Sequence, residues 1–132
     1  MAGEKDLNVL LRSMTATLVD GTFVFVTQSQ RDVPARIPVK MRFEEEEGTT
    51  LIVLKSDAEA FGLPYEFSCR MITLNVHSAL EAVGFIARVA TTLAAAGMGV
   101  NPVSGFFHDH LFVPEGRESD AMAILTDLAQ SS

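Results

Sequence analysis

The chain has 132 residues, 48% of them hydrophobic and 20% charged, with a formal net charge of −7. That composition suits one ordinary globular domain or two very small ones, and is not that of a disordered chain. The negative balance and scattered basic residues argue against nucleic acid and anionic membrane surfaces, which both select clustered cations. Cys69 is the single cysteine, so neither an internal disulfide nor a multi-cysteine metal site is expected. A start without the basic and apolar regions of a signal peptide, and no apolar run near ~18 residues, lead to the expectation of a cytoplasmic protein.

In chain order, Leu7, Leu10 and Leu11 recur at helical spacing and predict a short helix ending near Ser13. Segments 16–19 and 22–27 flank Asp20-Gly21, a dipeptide favoured in two-residue hairpin turns, so a hairpin is expected there. Pro34 and Pro38 make 31–38 a connecting loop. A second hairpin is expected from 41–44 and 50–54 around Glu45-Glu46-Glu47-Gly48. The four consecutive glutamates read as a solvated turn, because neighbouring strand residues point to opposite faces and cannot converge on one ion. Ser56…Glu59 has capping-box spacing for a short helix stopped by Gly62 and Pro64.

The run 71–76 is of β type, and Ser78…Glu81 repeats the capping-box spacing, predicting a helix over 79–96 ended by Gly97. On that helix Val83, Ile86, Ala90, Leu93 and Ala94 form the apolar stripe. Phe85 falls among Glu81, Arg88 and Thr92, and is read as exposed or loop-covered, or as a contact with the other half or with another subunit. A strand over 100–107 contains Pro102, which places it at a sheet edge or a bulge. The turn His108-Asp109-His110 leads to strand 111–113, and a last helix spans 118–129. The order from Met71 is β-α-β-β-α, a ferredoxin-like unit short of its final strand. The missing strand must come from the first half, so the halves are expected to share one sheet.

Four stretches carry a family resemblance: Gly62-Leu63-Pro64-Tyr65-Glu66, Thr73 to Ser78, Leu80 to Phe85, and His108 to Pro114. Over nearly the whole length, and least over 28–40, the chain resembles the small bacterial tandem ACT-domain proteins, which are related to the regulatory ACT domains of aspartate kinases. The resemblance implies an α+β protein of two ferredoxin-like halves, 1–66 and 67–132, with an antiparallel sheet covered by helices and strands shared between halves. It also implies an amino-acid-type effector bound where ACT units meet, a regulatory role without catalysis, and a homodimer or higher homo-oligomer.

A helix opening at the end of a strand presents free N–H groups and a partial positive charge, which suit a small carboxylate. Asn75, His77 and Ser78 are therefore the candidates for the strand-to-helix loop, and Asn101 and Ser104 for the ligand's other polar groups. The alternative is a docking or dimerisation module that takes no metabolite. Catalysis is not expected. Ser78 beside His77 is committed to capping, and sequence neighbours rarely reach nucleophile–base geometry. His77, His108 and His110 could be offered as a metal site, but a hydrogen-bonded turn pair is preferred, and no cofactor is expected. Cys69, in an apolar strand, reads as core.

Overall fold

A computed structural model describes residues 3–132. In chain order its elements are helix α1 (Leu7–Ser13), strands β1 (Ala16–Leu18) and β2 (Phe23–Gln28), a 3-10 turn (Gln30–Asp32), and strands β3 (Met41–Glu44) and β4 (Thr49–Leu54). Helix α2 (Lys55–Ala60), strand β5 (Glu66–Leu74), helix α3 (Phe85–Ala94), strands β6 (Asn101–Ser104) and β7 (Asp109–Pro114) and helix α4 (Glu118–Gln130) follow. They form two compact units: an inner one, Gly21–Cys69, and an outer one made of the residues up to Asp20 together with Arg70–Ser132.

In the outer unit the strand order is β1, β5, β7, β6. Ala16, Thr17 and Leu18 pair antiparallel with Leu74, Thr73 and Ile72. Strand β1 is thus the fourth strand that the β-α-β-β-α order lacked, supplied from the N-terminal side as expected. Strand β6, with Pro102, is at the edge. Helices α1, α3 and α4 bury one continuous core that includes Leu10, Leu11, Phe85, Val89, Leu93 and Leu125, together with Ile72, Leu74, Leu111 and Val113 from the sheet.

The inner unit is a second ferredoxin-like sheet, ordered β3, β4, β2 and the first part of β5. Thr49 to Leu54 pair with Gln28 to Phe23 across six residues, and the Glu45–Gly48 turn joins β3 to β4 as expected. Only the 3-10 turn occupies the place of a first helix. Val24, Val26, Leu51 and Val53 pack under Ala58 of α2, with Ile37 closing the loop side. Cys69 is fully buried, its thiol 3.3 Å from the Phe23 carbonyl oxygen. Strand β5 runs through both units. Glu66 and Cys69 pair with β2, Ile72 to Leu74 with β1.

Four local expectations are corrected. Asp20-Gly21 is not a hairpin tip, because β1 pairs with β5 and not with β2. Gly21, at φ +103°, instead lets the chain pass from one unit to the other. Helix α2 starts at Lys55, directly after β4, with Leu54 in the N-cap position and no side-chain cap. Ser56 therefore lies inside the first turn, two positions past the cap. Helix α3 begins at Phe85, not Ala79. Gly84 stands in the N-cap position at φ +93°, a left-handed conformation that ends any helix begun before it. The buried face also differs from the expected stripe. Phe85, Val89 and Leu93, spaced four apart, face the core, and Val83 is 84% exposed. Phe85 is 2% exposed, in a core that also holds Leu10, Leu11 and Met14 of the first half, so the exposed reading is corrected and burial against the first half is what the structure has.

Candidate functional site

Residues 75–84, between β5 and α3, form an ordered loop in place of a helix start. Its backbone is engaged by the N-terminal segment. The Glu4 N–H donates to the His77 carbonyl oxygen at 2.8 Å, and the Ala79 N–H donates to the Glu4 carbonyl oxygen at 2.9 Å. Glu4 and Ser78 thereby make a parallel β-bridge. Glu81, expected to reach back to Ser78, pairs with the Lys5 ammonium at 2.8 Å. That hydrogen bond and charge hold the Glu81 carboxyl below the usual carboxylate range.

The Ser78 hydroxyl donates to Asp109 Oδ2 at 3.1 Å, and the Ser104 hydroxyl donates to Asp109 Oδ1 at 2.6 Å. Asp109 is 6% exposed, one of two buried polar residues among those described. Ser104 faces it in register as the last pair of the β6–β7 hairpin. These three side chains border a cleft of about 70 Å³, with Phe85 and Ile86 at the start of α3 on one side and Ala79 and Ala82 on another. The space holds several waters or one small polar group. No side chain caps α3, so its first N–H groups are left for water or a ligand. A fixed carboxylate and a helix N-terminus at one cleft can hold the two ends of a zwitterion, an ammonium on Asp109 and a carboxylate at the helix.

The structure brings Ser78 and Ser104 together and leaves the other candidates apart. His77, next to Ser78 in the chain, packs at a tilt against Phe106 and Phe107, ring centroids 6.5 and 5.3 Å away. Asn75, at the start of the same loop, is turned to β1, where its Nδ2 donates to Thr17 Oγ1 at 2.7 Å. Asn101 is three residues from Ser104 on β6, hence on the opposite face of the strand. His110 Nδ1 lies 3.0 Å from Thr73 Oγ1, and the His108 and His110 rings are 6.5 Å apart. Asp109 is the residue that sequence reasoning missed. Its signal is the alternation Asp109, Leu111, Val113, which puts it on the buried face of β7.

Comparison with known proteins adds the family. Two ACT-domain family models match in tandem, over residues 2–70 and 66–127. A solved Vibrio cholerae protein of unknown function, described as a possible transport protein, is 37% identical with a TM-score of 0.85, over 95% of this chain and 97% of that one. An Agrobacterium tumefaciens protein is 16% identical with a TM-score of 0.75, over 88% and 89%. The regulatory subunit of aspartate kinase from Thermus thermophilus, in its ligand-free form, shares the fold at a TM-score of 0.58 with 10% identity, over 86% and 95%. A search of curated proteins finds no match. No helix of the described residues is long and apolar enough to cross a membrane.

Proposed function

The chain belongs to the ACT-domain family, and we propose that it is a non-catalytic regulatory protein whose outer unit binds a small amino-acid-type effector at the Ser78–Ser104–Asp109 cleft. The carrying observation is the buried Asp109 carboxylate, held by two hydroxyls beside the uncapped start of α3. A carboxylate already in the cleft changes the expected polarity of the ligand: its ammonium faces Asp109, and its own carboxylate lies toward the helix N–H groups. Ser78 and Ser104 fix the Asp109 rotamer, with His77 next to Ser78 in the chain. Asn75 and Asn101 lie away from the cleft and are not assigned to it.

The test is a thermal-shift screen over the twenty amino acids. A ligand present at a hundred times its dissociation constant adds about 2.7 kcal/mol of stability, a visible rise in Tm. Ser104→Ala is expected to weaken that ligand about tenfold, through loss of a hydrogen bond to a charged acceptor. Asn101→Ala should leave its affinity unchanged. A screen with no saturable shift at millimolar concentration favours the second reading, a self-association or docking module. That reading has its own support in exposed Leu80, Val83, Phe106 and Phe107, at 69%, 84%, 61% and 49% exposure, which surround the same loop. A homodimer through this patch would appear as a doubled mass in sedimentation.

A further inference from the structure

A second concavity of about 350 Å³ lies in the outer unit between the α1–β1 connection and the C-terminal half of α4. It shares no lining residue with the Asp109 cleft, and its volume is in the range of small-molecule sites. Its floor is apolar: Met14 and Leu125 are 4% and 1% exposed, and Ala16 and Ala129 form the walls. Arg12 is the one charged residue among those lining it. None of the described ion pairs or hydrogen bonds uses its guanidinium. Thr15 and Gln130 supply neutral polar groups at the rim, whereas the Thr126 hydroxyl is spent on the Met122 carbonyl oxygen.

We propose that this groove binds a small aliphatic monocarboxylate, its carboxylate on Arg12 and its hydrocarbon body on Met14, Leu125 and Ala129. A guanidinium presents a planar pair of donors that matches a carboxylate, and an apolar floor gives the rest of the molecule its affinity. The lining also discriminates. With no acidic side chain in the groove, the ammonium of an amino acid would be desolvated without a charged partner. An acid lacking that ammonium is the better fit, the opposite selection to the one made by a cleft built on Asp109. The plainer role for Arg12, a cation in the last turn of α1 favoured by the helix dipole, needs no ligand and predicts no selectivity.

The experiment uses the full-length chain with labelled methyl groups and titrates 4-methylpentanoate, its neutral amide and leucine in NMR. Expected are saturable shifts of the Met14, Leu125 and Ala129 methyls with the acid, and affinities weaker by about tenfold or more for the amide and for leucine. Arg12→Gln, at an exposed position, should keep the wild-type melting temperature and bring the acid down to the affinity of the amide. Ala129→Leu should fill the groove and abolish the shifts. Absence of saturation at these methyls up to about 10 mM, a range that already admits very weak ligands, would overturn the proposal. So would equal affinities for acid and amide, or an Arg12→Gln variant that binds like the wild type. Shifts confined to the methyls of Ala79, Ala82 and Ile86, which line the other cleft, would assign the acid there and equally reject this one.

Discussion

The inner and outer units share a strand order but differ in how the first strand is followed. In the outer unit, residues 75–84 lead into the full helix α3, which closes the core over Ile72 and Leu111. In the inner unit, residues 29–40 make only the 3-10 turn, and Pro34 and Pro38 exclude a helix because neither has an N–H to donate and each restricts the residue before it. The inner core is accordingly a single sheet under one short helix, with Ile37 as loop cover. The sheet tolerates the loss. What does not survive is the cleft, because a helix N-terminus opposite a buried acid exists only where the helix does. The proposed effector cleft is therefore set by the local architecture of the outer unit, while the sheet order is common to both.

Removing the N-terminal contribution gives the largest expected effect. A fragment of residues 67–132 lacks β1, the fourth strand, and with it Leu10, Leu11 and Met14 of the core. It should show no cooperative melt and poor amide dispersion. Residues 3–20 joined by a flexible linker to 70–132 should restore both, since that chain contains every element of the outer unit. A cooperative monomeric melt of 67–132 alone would break the account of the shared strand.

Truncating Phe85 comes next. The ring is 2% exposed at the first turn of α3, so Phe85→Ala should cost about 3–5 kcal/mol in urea denaturation. Its oligomeric mass should stay that of the wild type. A changed mass with an unchanged melt would return Phe85 to an interface between copies and undo the helix phase described above.

The smallest effect concerns Glu118, at the start of α4. Its own backbone N–H, then that of Gly116 and the Arg70 guanidinium, outweigh burial and hold its carboxyl below the usual range. A carboxyl depressed in the folded state stabilises it above the unfolded pKa, near 4.3 for Glu, and loses that contribution as pH falls through the folded value. Glu118→Gln should therefore be less stable than wild type by about 1–2 kcal/mol at neutral pH. The gap should close as the pH is lowered through the depressed folded value. A gap independent of pH would mean that packing, not charge, is lost.

Much of this fold was legible from residue order alone. The alternation and Gly48 of the β3–β4 hairpin, Pro102 at an edge, the spacing of α4 and the burial of Cys69 all rest on local physics: side-chain period, backbone donors, turn geometry. So does the missing fourth strand, because a β-α-β-β-α order leaves one edge unpaired wherever the chain supplies it. The candidate site was legible only in part. Ser78 and Ser104 were picked out for a helix cap and a strand position, and the structure joins them through a third residue, Asp109, that neither reason named.

The Ser78…Glu81 capping box and the Asp20-Gly21 turn failed for one reason. A capping box, a two-residue turn and a helical stripe are each worth about 1 kcal/mol or less per local contact. Long-range partners outweigh them when they bury polar groups or complete a sheet. Ser78 answers to Asp109, Glu81 to Lys5, the 77–79 backbone to Glu4, and β1 to β5. The sequence by itself determined the elements, the family pattern and the count of strands each unit requires. Only the tertiary structure decided where α3 begins, which face Phe85 turns inward and which carboxylate sits in the cleft, because each depends on residues brought together from distant parts of the chain.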